Sequence, residues 1–231
     1  MLKNILLDLD DTLLDTNIDN FLPHYFKALG EKLSEFLPPD TMINLVLHAT
    51  HEMMTNIDPG LTNENVFAAH FFHHIPFSEE KIKAKISDFY EIEFPKLKIH
   101  TNTISDVREM VIKLLNANKK ITIATNPLFP ARAIEHRINW AGLGGLNFDL
   151  ITTYENSHFC KPNPLYYGEV LKKLNADPAE SIMVGNDEMN DIFPAQEAGL
   201  FTFRIGNGKT SADASGTLED ALEFILRDGL I

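Results

Sequence analysis

The chain is short of cysteine, of positive charge and of long apolar runs. Its 231 residues hold one cysteine, Cys160, so no disulfide can form within it and stability must come from a packed core. Lys and Arg number 20 against 33 Asp and Glu, a formal net charge of −13 that leaves no basic surface for nucleic acid phosphates or anionic membranes to hold. No apolar run approaches the ~20 residues of a membrane helix. That excludes an ATP-driven pump, and the early charges of "MLKNILLDLD" are unlike a secretory signal, so a cytoplasmic location is expected. What is present, 44% hydrophobic and 23% charged residues, is the make-up of a globular protein with one good core and a smaller second one.

Short apolar runs suited to buried strands stand at "KNILLDL" (3 to 9), "KITIAT" (120 to 125), "FDLITT" (148 to 153), "SIMVGN" (181 to 186) and "LFTFRI" (200 to 205). Helical spacing fills the gaps, at 103 to 118 with Ile104, Val107, Val111, Leu114 and Leu115 on one face, at 164 to 175 and at 190 to 199. This alternation predicts an α/β fold, a parallel sheet flanked by helices on both faces, with ligands at the carboxyl ends of the strands. Residues 15–100 break the rhythm. Segments 19–36, 40–55, 62–74 and 79–94 read as helices, with Phe21, Tyr25, Leu29 and Leu33 on a four-residue spacing and Thr62 and Ser78 as caps. Pro38, Pro39, Pro59 and Pro95 are expected at helix ends. The division expected is a core of residues 1–14 and 101–231 with an inserted all-helical domain of residues 15–100.

Four polar groups follow four of the expected strands, the third after a loop: "DLDDT" at 8 to 12, "TN" at 125 to 126, "KPNP" at 161 to 164 and "GNDEMND" at 185 to 191. A parallel sheet brings such positions to one edge. Three aspartates as close as Asp8, Asp10 and Asp11 raise one another's pKa unless a cation or ligand compensates them. Several carboxylates, a lysine, a hydroxyl and backbone amides together suit a magnesium ion and a phosphoryl group, the oxygens holding the metal and the donors holding phosphate. Any one aspartate after a strand can be a turn or cap residue, but capping does not explain the lysine and the threonine. Asp11 is assigned to such a turn, and Asp15 to the entrance of the helical insertion.

With DxDxT at 8 to 12, a strand ending in Thr125, Lys161 followed by Pro162, and GNDxxxD at 185 to 191, the chain resembles the haloacid dehalogenase superfamily of phosphohydrolases over nearly its whole length. The resemblance implies a Rossmann-like core with a helical cap between the first and second motifs. It implies Asp8 as the nucleophile and Asp10 as the general acid and base, with Thr125, the Asn126 backbone and Lys161 on the phosphoryl oxygens. It also implies Mg2+ held by Asp8, the Asp10 carbonyl and Asp187, and Asp191 as a further ligand or an orienter of Lys161. Asn186 stands where many relatives have aspartate, which leaves the division among Asn186, Asp187 and Asp191 open.

The expected activity is hydrolysis of a small phosphate monoester, a phosphoglycolate, sugar phosphate or nucleotide, through an aspartyl phosphate. A phosphomutase of the β-phosphoglucomutase type needs the same Asp8 and Asp10, and a noncatalytic phosphate-binding protein is the alternative from another class. A dehalogenase does not require Asp10 as acid and base. Asp15, Thr16, Asn20 and His24 are expected near the leaving group, and hinges near 14–18 and 96–102 would let the cap open. Four other signals are read as structural. "GNGKT" at 206 to 210 has Phe203 where a phosphate-binding loop needs glycine, His70, His73 and His74 lack further ligands of defined spacing, and Cys160 has no evident base. The aromatic run 66 to 77 is assigned to the packing of the cap, with one face free to close over substrate.

Overall fold

The computed structural model describes residues 1–73 and 75–227. In chain order its elements are β1 (Asn4–Leu7), β2 (Leu14–Asp15), α1 (Ile18–Leu33), α2 (Pro39–Thr55), α3 (Asn63–Phe72), α4 (Glu79–Asp88), β3 (Asn102–Thr103), α5 (Val107–Asn116) and β4 (Lys120–Ile123). Then come α6 (Ala131–Trp140), β5 (Leu150–Ile151), α7 (Pro164–Leu174), β6 (Ser181–Gly185), α8 (Phe193–Glu197), β7 (Phe201–Ile205), β8 (Ala214–Gly216) and α9 (Leu218–Leu226). Six strands form one parallel sheet in the order β5-β4-β1-β6-β7-β8. The fully buried β1 lies at its centre, Ile5 opposite Ile121 of β4 and Ile182 of β6.

Successive side chains of a strand point to opposite faces, so one strand serves two cores. Ile5, Leu7, Ile121, Ile123, Ile182 and Val184 pack on one face with residues of α5, α6 and α9. Leu6 and Met183 pack on the other with Tyr166, Tyr167, Val170 and Leu171 of α7. Helices thus cover both faces, and the chain leaves β1 toward neighbours on either side. The point between β4, β1 and β6 is where such a sheet opens a crevice at its carboxyl edge.

The helical run from Ile18 to His100 sits between β2 and β3, which pair antiparallel, Leu14 with Thr103 and Asp15 with Asn102. The Asn102 amide donates to the Asp15 carboxylate at 3.0 Å, so the run enters and leaves through one tied gate. It leans on the rest of the molecule through aromatic rings, Phe94 stacked on Trp140 of α6 at 5.3 Å and Phe21 6.3 Å from the same indole. Among the described residues no helix is long and apolar enough to cross a membrane.

Several expected boundaries move. Pro95 ends nothing: helical turns continue from Glu79 to His100, passing from α to a π turn at Phe89–Glu93 and then to 3-10 geometry, and the missing N–H falls where the ladder changes type. The helix expected from 103 starts at Val107, because Asp106 is left-handed with φ 67°. The helix expected over 190 to 199 is a π turn, Glu188–Ile192, followed by α8. The strand expected over 148 to 153 is only β5, while α6, α9, β2, β3 and β8 were not anticipated. Thr62 caps α3 with a reciprocal bond to Asn65, whereas Ser78 precedes α4 without a side-chain cap.

Candidate active site

The carboxyl ends of β1, β4 and β6 meet the loop carrying Lys161, and the side chains there interlock. Lys161 Nζ lies 2.9 Å from Asp8 Oδ1 and 2.6 Å from Asp191 Oδ1, and the lysine is 1% exposed. Burial opposes its charge, but the carboxylates of Asp191 and Asp8 outweigh burial and hold its pKa well above the usual lysine value. Burial likewise pushes the Asp191 carboxyl up, to about 6, against the pull of Lys161. The pair survives because its remaining valences are filled: Asp191 Oδ2 accepts from the Asp187 amide at 3.1 Å. Glycine is required at the end of β6, since a Cβ on Gly185 would stand 2.3 Å from Asp191 Oδ2.

Asp8 stays partly open to the cavity at 8% exposure, and Thr12 Oγ donates to its second oxygen at 3.2 Å. Lys161 and Thr12 therefore orient one carboxylate from two sides. Asp10 points elsewhere. Thr16 Oγ donates to its Oδ1 at 2.7 Å, and the Arg137 guanidinium pairs with its Oδ2. Arg137 comes from α6, is buried, and lies with its Cζ 5.0 Å from the Phe129 ring. Burial lowers its pKa to about 10, partly offset by the Asp8 charge, so it remains a cation at neutral pH. Its Nε and Nη1 have no hydrogen-bond partner.

Thr125 stands two residues beyond the end of β4, its carbonyl pinned by the hydroxyls of Thr152, 2.7 Å, and Tyr166, 3.0 Å. Asn126 clasps the lysine's backbone through its side chain, accepting from Lys161 N at 3.2 Å and donating to Lys161 O at 3.4 Å. Asn186 Oδ1 lies 3.1 Å from Thr12 Oγ and shares that hydroxyl's one proton with Asp8, which sets an amide oxygen beside Asp8. Asp187 turns instead to cap the next turn, its Oδ1 accepting from Met189 N at 2.8 Å and Asn190 N at 2.9 Å. Asp8, Asp10, Thr125, Asn126, Lys161, Asn186, Asp187 and Asp191 all line one cavity of about 650 Å³. Asp8, the Asn186 amide oxygen and the second oxygen of Asp187 are hard oxygen donors at one edge, a set that fits a divalent cation such as Mg2+.

The remaining readings from sequence also find places. Asp11, at φ 56°, accepts from Thr16 N and Asn17 N at 3.0 and 2.7 Å, a turn role. Thr16 holds Asp10, while His24 stacks on His100 at 3.6 Å and, like Asp15 and Asn20, does not line the cavity. The Cys160 thiol is buried, accepts from Asn63 Nδ2 at 3.2 Å and is pushed up to about 12 by burial, as befits an inert thiol. Thr210, in the "GNGKT" loop, donates to Glu188 at 2.8 Å. His74 lies outside the described residues. His70 gathers with His48 and Glu52 of α2, ligand atoms within 4.8 Å of one another, a grouping across two helices that spacing along α3 could not show.

Arg137 is the site residue that sequence reasoning missed. A signal existed: among Ala133, Ile134, Ile138 and Trp140, the buried stripe of α6, one position carries a guanidinium. A charge in an apolar stripe calls for a partner.

The haloacid dehalogenase-like hydrolase family profile matches residues 5–205. The chain belongs to that family. It is 25% identical to the glyceraldehyde 3-phosphate phosphatase of Methanothermobacter thermautotrophicus, over 100% of this chain and 97% of that protein. It is 24% identical to the pyrophosphatase PpaX of Bacillus mycoides over 88% of the chain and 83% of that protein. The HAD phosphatase structure from Thermococcus onnurineus superposes with a TM-score of 0.60 at 20% identity, covering 97% of this chain and 98% of that one. The fold is that of a HAD hydrolase, and the protein is an enzyme of that family.

Proposed function

We propose that the protein is a Mg2+-dependent phosphatase that hydrolyses a small soluble phosphate monoester through an aspartyl phosphate on Asp8. One observation carries this reading: two carboxylates five atoms of backbone apart are held in opposite settings. Asp8 is fixed by Lys161 and Thr12 at the cavity floor, and Asp10 is aimed away by Thr16 and Arg137. Asp8 attacks phosphorus as its P–O ester bond breaks, and Asp10 gives its proton to the leaving alkoxide. Water then attacks the phosphoryl group, Asp10 takes the proton, and Asp8 leaves as carboxylate. Lys161 and Thr125 neutralise and bind the phosphoryl oxygens as charge builds on them. A divalent ion held by Asp8, the Asp10 carbonyl, Asn186 and Asp187 supplies charge neutralisation and in-line orientation when bound.

In this reading residues 15–100 form the cap and residues 1–14 with 101–231 the catalytic core. The gate at β2 and β3 is the hinge across which the cap opens to release product. The relatives named as phosphatases of glyceraldehyde 3-phosphate and of pyrophosphate support the reaction class. Phosphate release from sugar phosphates, nucleotides, phosphoglycolate and pyrophosphate, with and without Mg2+, tests it. Release that needs the metal and vanishes in Asp8→Asn is expected. Metal-independent release, or release that survives Asp8→Asn, refutes it.

A further inference from the structure

The cavity over Asp8 does not end at the catalytic groups. It continues between the helices of the insertion, and there its wall is mostly apolar: Leu22, Phe26 and Leu29 from α1, Phe67 and Phe72 from α3, and Ile86 from α4. Five of these six are only partly buried, so they present apolar surface to the cavity rather than packing shut. On α1 the stripe runs from Ile18 to Leu33 at helical spacing, roughly 22 Å at ~1.5 Å per residue, leading away from the aspartates.

Several charged side chains of the lining already have partners. Arg132 pairs with Glu91 at 2.7 Å and Glu135 at 3.0 Å, Lys83 pairs with Glu79 at 2.7 Å, and Glu155 accepts from Ala131 N at 2.9 Å. Arg137 keeps two unpartnered nitrogens beside Asp10. Between the helices of the insertion, however, the further polar lining is Thr50, Glu64, Ser87 and the hydroxyls of Tyr25 and Tyr90, which bond each other at 3.0 Å. These are few groups to replace the water around the hydroxyls of a sugar phosphate. Apolar cavities of this kind take apolar guests.

We propose that the substrate is a phosphate monoester of an apolar alcohol, its phosphoryl group on Asp8 and its alkyl or aryl body along α1 between α3 and α4. The inference rests on the phosphatase reading for the identity of the head group and extends it to the leaving group. The recognised chemistry is a dianionic head on a flexible apolar chain, and the length of the stripe suits a chain of several carbons.

Titration calorimetry of the wild-type protein with n-alkylphosphonates from methyl to octyl, in the presence of Mg2+, tests this without requiring turnover. Each added methylene should tighten binding ~fourfold until the cavity is filled, with an increasingly negative heat-capacity change. Leu22→Gln and Ile86→Gln, which keep good helix formers on α1 and α4, should flatten that dependence while leaving thermal unfolding cooperative. Affinity that does not change with chain length, or glycerol phosphate bound more tightly than octylphosphonate, overturns the inference. Hydrolysis of polar esters together with a flat phosphonate series would sink the apolar substrate and leave the phosphatase. A steep series with no ester hydrolysed would do the reverse.

Discussion

Replacing Lys161 with methionine is the most direct probe of the site's electrostatics. The side chains are of similar length, so packing is largely kept while the one cation between Asp8 and Asp191 is lost. Two carboxylate oxygens that both touch one ammonium lie on the order of 5 Å apart, and at an effective dielectric of ~20 like charges at that distance repel by ~3 kcal/mol. Removing one member of a buried ion pair typically costs ~3–5 kcal/mol, and Asp191, 1% exposed, has no water to turn to. Lys161→Met should therefore lower the unfolding free energy by ~3–5 kcal/mol, read from equilibrium urea denaturation with an unchanged slope. Adding Asp191→Asn removes the stranded charge and keeps an oxygen for the Asp187 amide, so the double variant should regain roughly half of the loss while phosphate release stays abolished. An unshifted midpoint in Lys161→Met would refute the reasoning, as would further destabilisation on adding Asp191→Asn.

Arg137→Met frees Asp10 on one side, and a misaimed acid should cut turnover ~100-fold with little change in the binding of inorganic phosphate; turnover within threefold of wild type would show that Thr16 alone aims Asp10. Asp187→Ser keeps a capping oxygen for Met189 and Asn190 but removes a carboxylate, so the urea midpoint should hold while the Mg2+ needed for half-maximal activity rises at least ~tenfold. An unaltered metal requirement would reduce Asp187 to a cap. With its pKa pushed up to about 12, Cys160 is a thiolate in only ~1 in 10⁴ molecules at pH 8. Iodoacetamide should leave the folded protein unmodified at that pH, label it faster as pH rises, and label it readily in urea; rapid labelling of the native protein at pH 8 would contradict the burial of Cys160.

The edge that gathers the candidate site was legible in the sequence because its position follows from topology alone. β1, β4 and β6 are buried on both faces, so they read as near-continuous apolar runs, and whatever polar residues follow them must meet at the carboxyl edge. β8 left no such trace, since Ala214, Ser215 and Gly216 carry no apolar pattern and are held as a strand by register with Phe203 to Ile205. α6 was hidden by the residue that ties it to Asp10, for Arg137 interrupts an apolar spacing that would otherwise mark a helix. Asn186 and Asp187 are neighbours with interchangeable donors, and only the turn that follows decides that one faces Thr12 and the other caps a helix. The same reasoning separates chemistry from specificity. Spacing showed that residues such as Phe21, Tyr25 and Leu29 share a helix, but a periodic stripe reads alike whether it meets another helix or an open cavity. The reaction is written where strands end, in residues whose neighbours are fixed by the sheet. The leaving group is chosen by helices whose apolar faces acquire a meaning only when α1, α3 and α4 are set opposite one another and fail to close.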